Sequence, residues 1–394
     1  MSYLNALGIV CNLGNGKAAV AEALFRGDDS RLPDTEDWVP GHALPMGRID
    51  GELPPLPDEL AVRDNRNNRL LLAAARQIEM DIRAAITRYG ASRIGVVIGT
   101  STTAIEEATV GVGAFQREGI WPAGYRYSQQ ELADPAECLA EWLALAGPCF
   151  SISTACTSGA RALMSAQRLL RSGWCDAVIC GGVDTLARLP LNGFFALEAT
   201  DTRRCNPFSA HRRGINIGEA AALFLMTREN GPVQYLGGGA SSDAYHMSSP
   251  EPRGAGAKQA MHAALREAGL DATQIDYVNL HGTATEHNDS MESLAIHDVF
   301  PDGVPCSSTK SLTGHTLGAA GALEAAFCWL ALSDTQARRR LPPHIWDGVA
   351  DPALPALLLT GHGSHLPVDR TARVMSNSFA FGGNNACVIL GDPI

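Results

Sequence analysis

The chain is poor in lysine. Lys17, Lys258 and Lys310 are the only ones, and every other basic residue is arginine. Together with a formal net charge of −11, this excludes the broad cationic surface of a general nucleic-acid binder. No apolar run approaches the length that spans a bilayer, so no membrane span is expected. The start, Met1-Ser2-Tyr3-Leu4-Asn5, lacks the basic opening and cleavage site of a secretion signal, so a cytoplasmic location is expected. Ten cysteines are present without paired spacing, which points to reduced thiols and not to a disulfide framework. Neither Cys-x-x-Cys nor His-Glu-x-x-His occurs, so no metal site is expected.

What is present is an alternation of strands and helices. Apolar runs predict strands over 4–11, 94–98, 148–153, 177–180 and 220–227. Helical patterns cover 18–25, 70–86, 132–145 and 161–170, while the polar, Pro- and Gly-rich stretch 27–58 reads as a surface excursion. After Asn230-Gly231-Pro232 the plan restarts, with strands over 233–236 and 277–280, helices over 255–268 and 317–332, and closing strands near 373–377 and 386–390. This predicts an α/β protein with helices on both sheet faces, divided into halves 1–230 and 231–394. Each half sets a reactive side chain just ahead of a small-residue helix, which hints at internal duplication.

In the first half that side chain is Cys156, within Ser153-Thr154-Ala155-Cys156-Thr157-Ser158-Gly159-Ala160. A thiol where a strand turns into a helix feels the positive end of the peptide dipoles, which favours thiolate. Taken alone, it is equally a small buried hydrophobe. In the second half, His281 ends an apolar run in Val278-Asn279-Leu280-His281-Gly282-Thr283-Ala284-Thr285. Lys310 and His315 precede an Ala/Gly-rich helix in Lys310-Ser311-Leu312-Thr313-Gly314-His315. Asn377-Ser378-Phe379-Ala380-Phe381-Gly382-Gly383 is an aromatic-glycine turn. Singly, these read as a core histidine, close helix packing and a tight turn.

Together, the four segments resemble the β-ketoacyl-acyl-carrier-protein synthases of the thiolase superfamily. Their marks are Thr-Ala-Cys-x-Ser, His-Gly-Thr-x-Thr, Lys-Ser-x-x-Gly-His and Asn-Ser-Phe-x-Phe-Gly-Gly, all present here in family order. The resemblance covers nearly the whole chain. It implies a thiolase-like fold, two duplicated α/β halves in a five-layered αβαβα sandwich. It also implies a decarboxylative condensation of an acyl group with malonyl-acyl-carrier protein, with no cofactor beyond the phosphopantetheine that carries the substrates. Cys156 then becomes the nucleophile, His281 and His315 the histidine pair, and Lys310 the supporting cation. Phe381 is the gate whose N–H joins that of Cys156 in an oxyanion hole. Thr283 and Thr285 line up with pantetheine contacts, and Phe379 and Ile215 with the substrate pocket. Glu324 matches an acidic residue behind the site, as a salt bridge, a cation site or a surface charge.

Departures from the family pattern concern the pocket. Pro207-Phe208-Ser209-Ala210-His211-Arg212-Arg213-Gly214-Ile215 lacks two usual aspartates and an aromatic, and Thr285 is followed by Glu286-His287 where Pro is common. Gly99-Thr100-Ser101-Thr102-Thr103 makes the presumed acyl-channel turn polar. That turn and the short N-terminus resemble ketosynthases of aryl polyene pigment clusters. A housekeeping elongation enzyme and a non-catalytic chain-length factor are the alternatives, although chain-length factors lack the cysteine. A thiolase needs a second catalytic cysteine near the C-terminal turn, and a Cys–His hydrolase does not account for Lys310 or a second histidine. Acidic carrier proteins imply a basic docking face, for which Arg63, Arg66, Arg69 and Arg203 are candidates, unless they are simply solvated. A homodimer or a heterodimer with a chain-length factor is expected.

Overall fold

The computed structural model describes residues 1–334 and 339–393. Its main strands form one hydrogen-bonded order in which the two halves repeat each other. In the N-terminal half the order is Cys149–Ile152, Ile94–Gly99, Ala177–Asp184, Ala220–Thr227, Ser2–Cys11. The first two pairings are parallel and the last two antiparallel. The C-terminal half reads Pro305–Ser307, Tyr277–Asn279, Arg373–Ala380, Asn384–Gly391, Val233–Ser242, again parallel twice and then antiparallel twice. The strand orders of the two halves join where Ser2, Tyr3 and Leu4 pair with Tyr235, Gln234 and Val233.

Strand periodicity explains the layering, because successive side chains point to opposite faces. In Ala220–Thr227, Ala222, Phe224 and Met226 enter the central core while Ala221, Leu223 and Leu225 enter an outer one. In Asn384–Gly391, Ala386, Val388 and Leu390 face that same central core, and Cys387 and Ile389 face a third. Helices Ser158–Arg171 and Ala320–Ser333 lie in the centre between the two sheets. Arg66–Arg76 and Asp134–Trp142 cover one outer face, and Ala255–Ala268 and Glu286–Val299 the other. The result is the five-layered thiolase-like arrangement.

Several expectations are corrected. The stretch 27–58 is not merely an excursion. Its strands Asp34–Val39 and His42–Gly47 form a hairpin, and Val39, Leu44 and Met46 pack on Leu191, Ile215 and Leu317 beside the substrate region. The single helix expected over 70–86 is two, Arg66–Arg76 and Glu79–Tyr89. At the break, the Gln77 side chain bonds both N–H and C=O of Ile9, a tertiary contact with no local signature. The strand Cys149–Ile152 is half-buried at a sheet edge, not interior.

Candidate active site

Cys156 lies in the turn between edge strand Cys149–Ile152 and helix Ser158–Arg171. Ala155 before it takes φ 51°, a left-handed conformation that costs an L-residue free energy. Ser158 holds the turn: its Oγ accepts the Thr154 N–H at 2.9 Å and donates to the Ala155 carbonyl at 2.6 Å. The helix then crosses Ala320–Ser333 where both are smallest. A Cβ on Gly159 would meet the Ala322 nitrogen at 2.6 Å, and one on Gly321 the Ala160 nitrogen at 2.8 Å. That reciprocal contact lets the reactive ends of two helices, one from each half, approach each other.

His315, just ahead of Ala320–Ser333, is anchored by its backbone. Its N–H donates to Asn216 O at 2.7 Å, and its C=O accepts from Gly218 N–H at 3.0 Å. Its Nε2 lies 2.9 Å from the sulfur of Cys156. His281 follows the strand Tyr277–Asn279, and its ring meets that of His315 edge-on, 5.3 Å between centroids. Cys156, His281 and His315 are all buried, with donor atoms within 4.8 Å of one another. Such a set could also bind a soft cation, but the Lys310 ammonium beside His281 opposes one.

Lys310 has three N–H bonds and three acceptors: His281 O at 2.5 Å, His281 Nδ1 at 3.4 Å and the Glu324 carboxylate. Donation to Nδ1 leaves the proton of neutral His281 on Nε2, the atom free to face a substrate. Glu324 is buried in an ion pair, which rules out the surface-charge reading. Burial raises its pKa to about 7, against the opposing pull of Lys310. Burial also depresses both imidazoles well below their ordinary range, and the Lys310 charge adds to this, so both are neutral.

The sulfur does not behave as its helix-terminal position implied. Burial pushes the Cys156 thiol up to about 12. Lys310 and the backbone N–H groups of Phe381 and Cys156 pull the other way without prevailing. The resting group is therefore a thiol, with His315 Nε2 in reach of its proton. The same two N–H groups lie beside the sulfur, next to where the carbonyl oxygen of a thioester on Cys156 would sit.

Two cavities meet at Cys156 and Phe381. One, about 540 Å³, is lined by Ile215, Thr283, Thr285, Phe379 and both histidines. The other, about 460 Å³, runs past Ser101, Thr102, Leu132 and Leu189. Phe381 stands between them with its ring 5.4 Å from that of Phe194, and Thr283 and Thr285 share a hydrogen bond at 2.9 Å.

The four candidate docking arginines are placed away from both cavities. Arg63 binds Asp134, Glu137 and Glu141, Arg66 binds buried Glu219, and Arg69 binds Asp64. Their charges are spent inside the chain. Arg203 is 63% exposed and 3.7 Å from Asp201. Arg213, exposed, stands on the wall of the first cavity.

Sequence reasoning missed three supporting groups. Glu292, on the unforeseen helix Glu286–Val299, accepts the N–H groups of His281 at 2.8 Å and Gly282 at 2.7 Å. Asp289 accepts those of Phe208 and Ala284. Buried His344 accepts from Ser308 N–H at 3.1 Å. For Asp289 the signal was the acidic first turn after Thr285; Glu292, further along the helix, and His344 had none.

A duplicated thiolase-like fold that delivers one cysteine and two histidines to a common pocket defines the condensing enzymes. The chain belongs among the β-ketoacyl synthases. The N-terminal domain of that family matches residues 13–231 and its C-terminal domain residues 234–344. The chain is 32% identical over 414 residues to the 3-oxoacyl-[acyl-carrier-protein] synthase 2 of Coxiella burnetii, covering 98% of this chain and 97% of that one. Among solved structures it is similar to the ketosynthase ApeO, in complex with its chain length factor ApeC, from Xenorhabdus doucetiae. That match has 46% identity and a TM-score of 0.93, over 99% of this chain and 98% of that one. The ishigamide ketosynthase/chain length factor matches at 26% identity, with a TM-score of 0.87 over 99% and 98%. Among the described residues no helix is long and apolar enough to cross a membrane.

Proposed function

We propose that the chain catalyses decarboxylative condensation of a Cys156-bound acyl group with malonyl-acyl-carrier protein, giving β-ketoacyl-acyl-carrier protein and CO2. The observation that carries this is the convergence of Cys156, His281 and His315 at the meeting point of two cavities.

In the first step the sulfur attacks the acyl thioester carbonyl. The thiol proton passes by way of His315 to the departing pantetheine thiol, and the N–H groups of Cys156 and Phe381 hold the oxyanion. In the second, the malonyl C–C bond to its carboxylate breaks and CO2 leaves. The electron pair moves into an enolate whose oxygen accepts from Nε2–H of His281 and, once the His315 proton has moved from Nδ1 to Nε2, from His315 as well. The enolate carbon then attacks the acyl-Cys156 carbonyl and expels the sulfur, which takes a proton from solvent. Lys310 fixes the orientation of His281. Thr283 and Thr285 hold the pantetheine arm, and Phe379 and Ile215 shape the entry cavity. In this reading residues 1–230 supply the nucleophile and 231–394 the histidines.

The acyl carrier is met at the mouth of the first cavity, where Arg213 lines the wall, with exposed Arg203 as a cation further out on the surface. The partner is a chain-length-factor-like subunit or a second copy. Half-exposed Leu132 and Leu189 line the second cavity, the neighbouring segment exposes Val110, Ile120 and Tyr127, and Cys149–Ile152 leaves a free sheet edge. The likeness to ApeO supports a specialised pathway of the aryl polyene kind; the relative in Coxiella burnetii keeps housekeeping elongation as the second reading.

Intact-mass analysis of the protein incubated with a panel of acyl carriers tests the proposal. One acyl adduct is expected on wild type and none on Cys156→Ala, with CO2 released on adding malonyl carrier. Wild type that never loads an acyl group would overturn it.

A further inference from the structure

The turn Thr100-Ser101-Thr102-Thr103 reads as polar, yet it walls the second cavity, where an acyl chain would lie. The structure accounts for every hydroxyl. Thr100 and Thr102 each donate through Oγ1 to Asp184 Oδ1 at 2.8 Å, and Ser101 Oγ donates to Asp184 Oδ2. Thr103 Oγ1 donates to the Thr102 carbonyl at 2.7 Å, with Gln130 O at 3.1 Å. Asp184 is fully buried at the end of Ala177–Asp184 and also accepts the N–H groups of Ser101, Thr102 and Gly318. Six donors thus replace the water that this carboxylate lost. With its hydroxyls drawn back, the turn shows methyl, methylene and backbone atoms to the cavity. Ile105, Leu132, Leu189 and Phe194 complete an apolar wall. Gln130 is the exception, and its Nε2 donates to the Tyr125 hydroxyl at 3.1 Å.

We infer that Asp184 is a specificity-determining positioning residue, which by holding these hydroxyls away from the cavity makes it select hydrocarbon acyl chains over chains bearing a 3-oxo group. The inference rests on the ketosynthase reading above and names the substrate class of its acyl cavity. A 3-oxo oxygen entering there leaves water and, Gln130 apart, finds no side-chain donor, whereas a hydrocarbon chain loses nothing. By also holding Gly318, Asp184 ties this wall to the segment that carries His315.

The test is the ratio of loading rates on Cys156, read by intact mass, with octanoyl-pantetheine and 3-oxooctanoyl-pantetheine. Wild type is expected to favour octanoyl by about tenfold or more, the size of discrimination a missing polar partner supports. D184N replaces one acceptor oxygen by a donor, frees at least one hydroxyl to turn toward the chain, and should cut the ratio by about fivefold. A within-protein ratio cancels any general loss of rate. A wild-type ratio near one, or a D184N ratio equal to wild type, overturns the assignment. Should D184N not fold, Thr102→Val decides: a ratio within about twofold of wild type is expected because that hydroxyl already faces Asp184. A severalfold rise would show that it faced the chain and would overturn the assignment. Absence of loading from either thioester would overturn the ketosynthase reading itself, and this inference with it.

Discussion

His315 Nε2 sits 2.9 Å from the sulfur of Cys156, although 159 positions of chain separate the two residues. The contact exists because Gly159 and Gly321 let two central helices touch through backbone and Cβ atoms alone. Gly159→Ala places a Cβ 2.6 Å from the Ala322 nitrogen and should push those helices apart. Condensation should fall by roughly 10²-fold, the scale of a misplacement of about 1 Å, with a lower Tm. Steady-state kinetics with a thermal melt checks this, and wild-type rates would refute it.

Lys310 and Glu324 bury opposite charges in contact. Removing one leaves the other unpaired, so Lys310→Met should cost about 3–5 kcal/mol of stability. The double variant Lys310→Met, Glu324→Leu should recover most of that stability while remaining defective in condensation. Urea denaturation of the three variants completes the cycle; additive losses would refute coupling.

The imidazoles of His281 and His315 lie well below the ordinary histidine pKa because they are buried, with the Lys310 charge as the next cause. They stay neutral as pH falls through the range where an exposed histidine charges. The condensation rate of preformed acyl-enzyme should therefore show no loss centred near pH 6.5. A single-turnover pH profile with a midpoint there would contradict the burial argument.

Glu292 holds the backbone of His281, and burial raises its pKa from 4.5 to about 7. A carboxyl raised on folding contributes stability in full below pH 4.5, and that contribution is lost as pH rises through about 7. Glu292→Gln does not titrate. Relative to it, wild type should lose up to about 1.4 kcal/mol per pH unit across that window. Chemical unfolding of both proteins at pH 5 and pH 8 measures the difference; an unchanged gap would mean that Glu292 is not buried as described.

Arg66 pairs with a carboxylate that is completely buried, while Arg203 is mostly exposed. Arg66→Glu should therefore lower the Tm whatever the substrate, through like charges at Glu219. Arg203→Glu should leave the Tm unchanged and raise KM for carrier-bound substrate, but not for a pantetheine thioester. Equal KM effects on both substrates would remove Arg203 from the docking face.

Cys156, His281, His315, Lys310 and Phe381, which the structure brings together, were legible as a candidate site because each lies in a short contiguous segment. The helix over 255–268 was legible to the residue, closed by Gly269 in a left-handed cap. The hairpin 34–47, the break at Gln77 and the bonds of Glu292 were hidden. Each depends on a partner far away in sequence, and Gln77 carries no sign that Ile9 will accept it. The partners of Arg63, Arg66 and Arg69 were hidden for the same reason, since a cation in a sequence shows its charge but not its counter-ion.

By itself, the order of residues determined the alternating strands and helices, the duplication and the candidates for the reacting groups, because periodicity and local chemistry are written along the chain. The tertiary structure alone decided their state. Burial made Cys156 a thiol and the imidazoles neutral, and a buried carboxylate at position 184 turned a hydroxyl-rich segment into an apolar wall. Desolvation and hydrogen bonding depend on what surrounds a group in space, and the two packed halves supply those surroundings from distant segments.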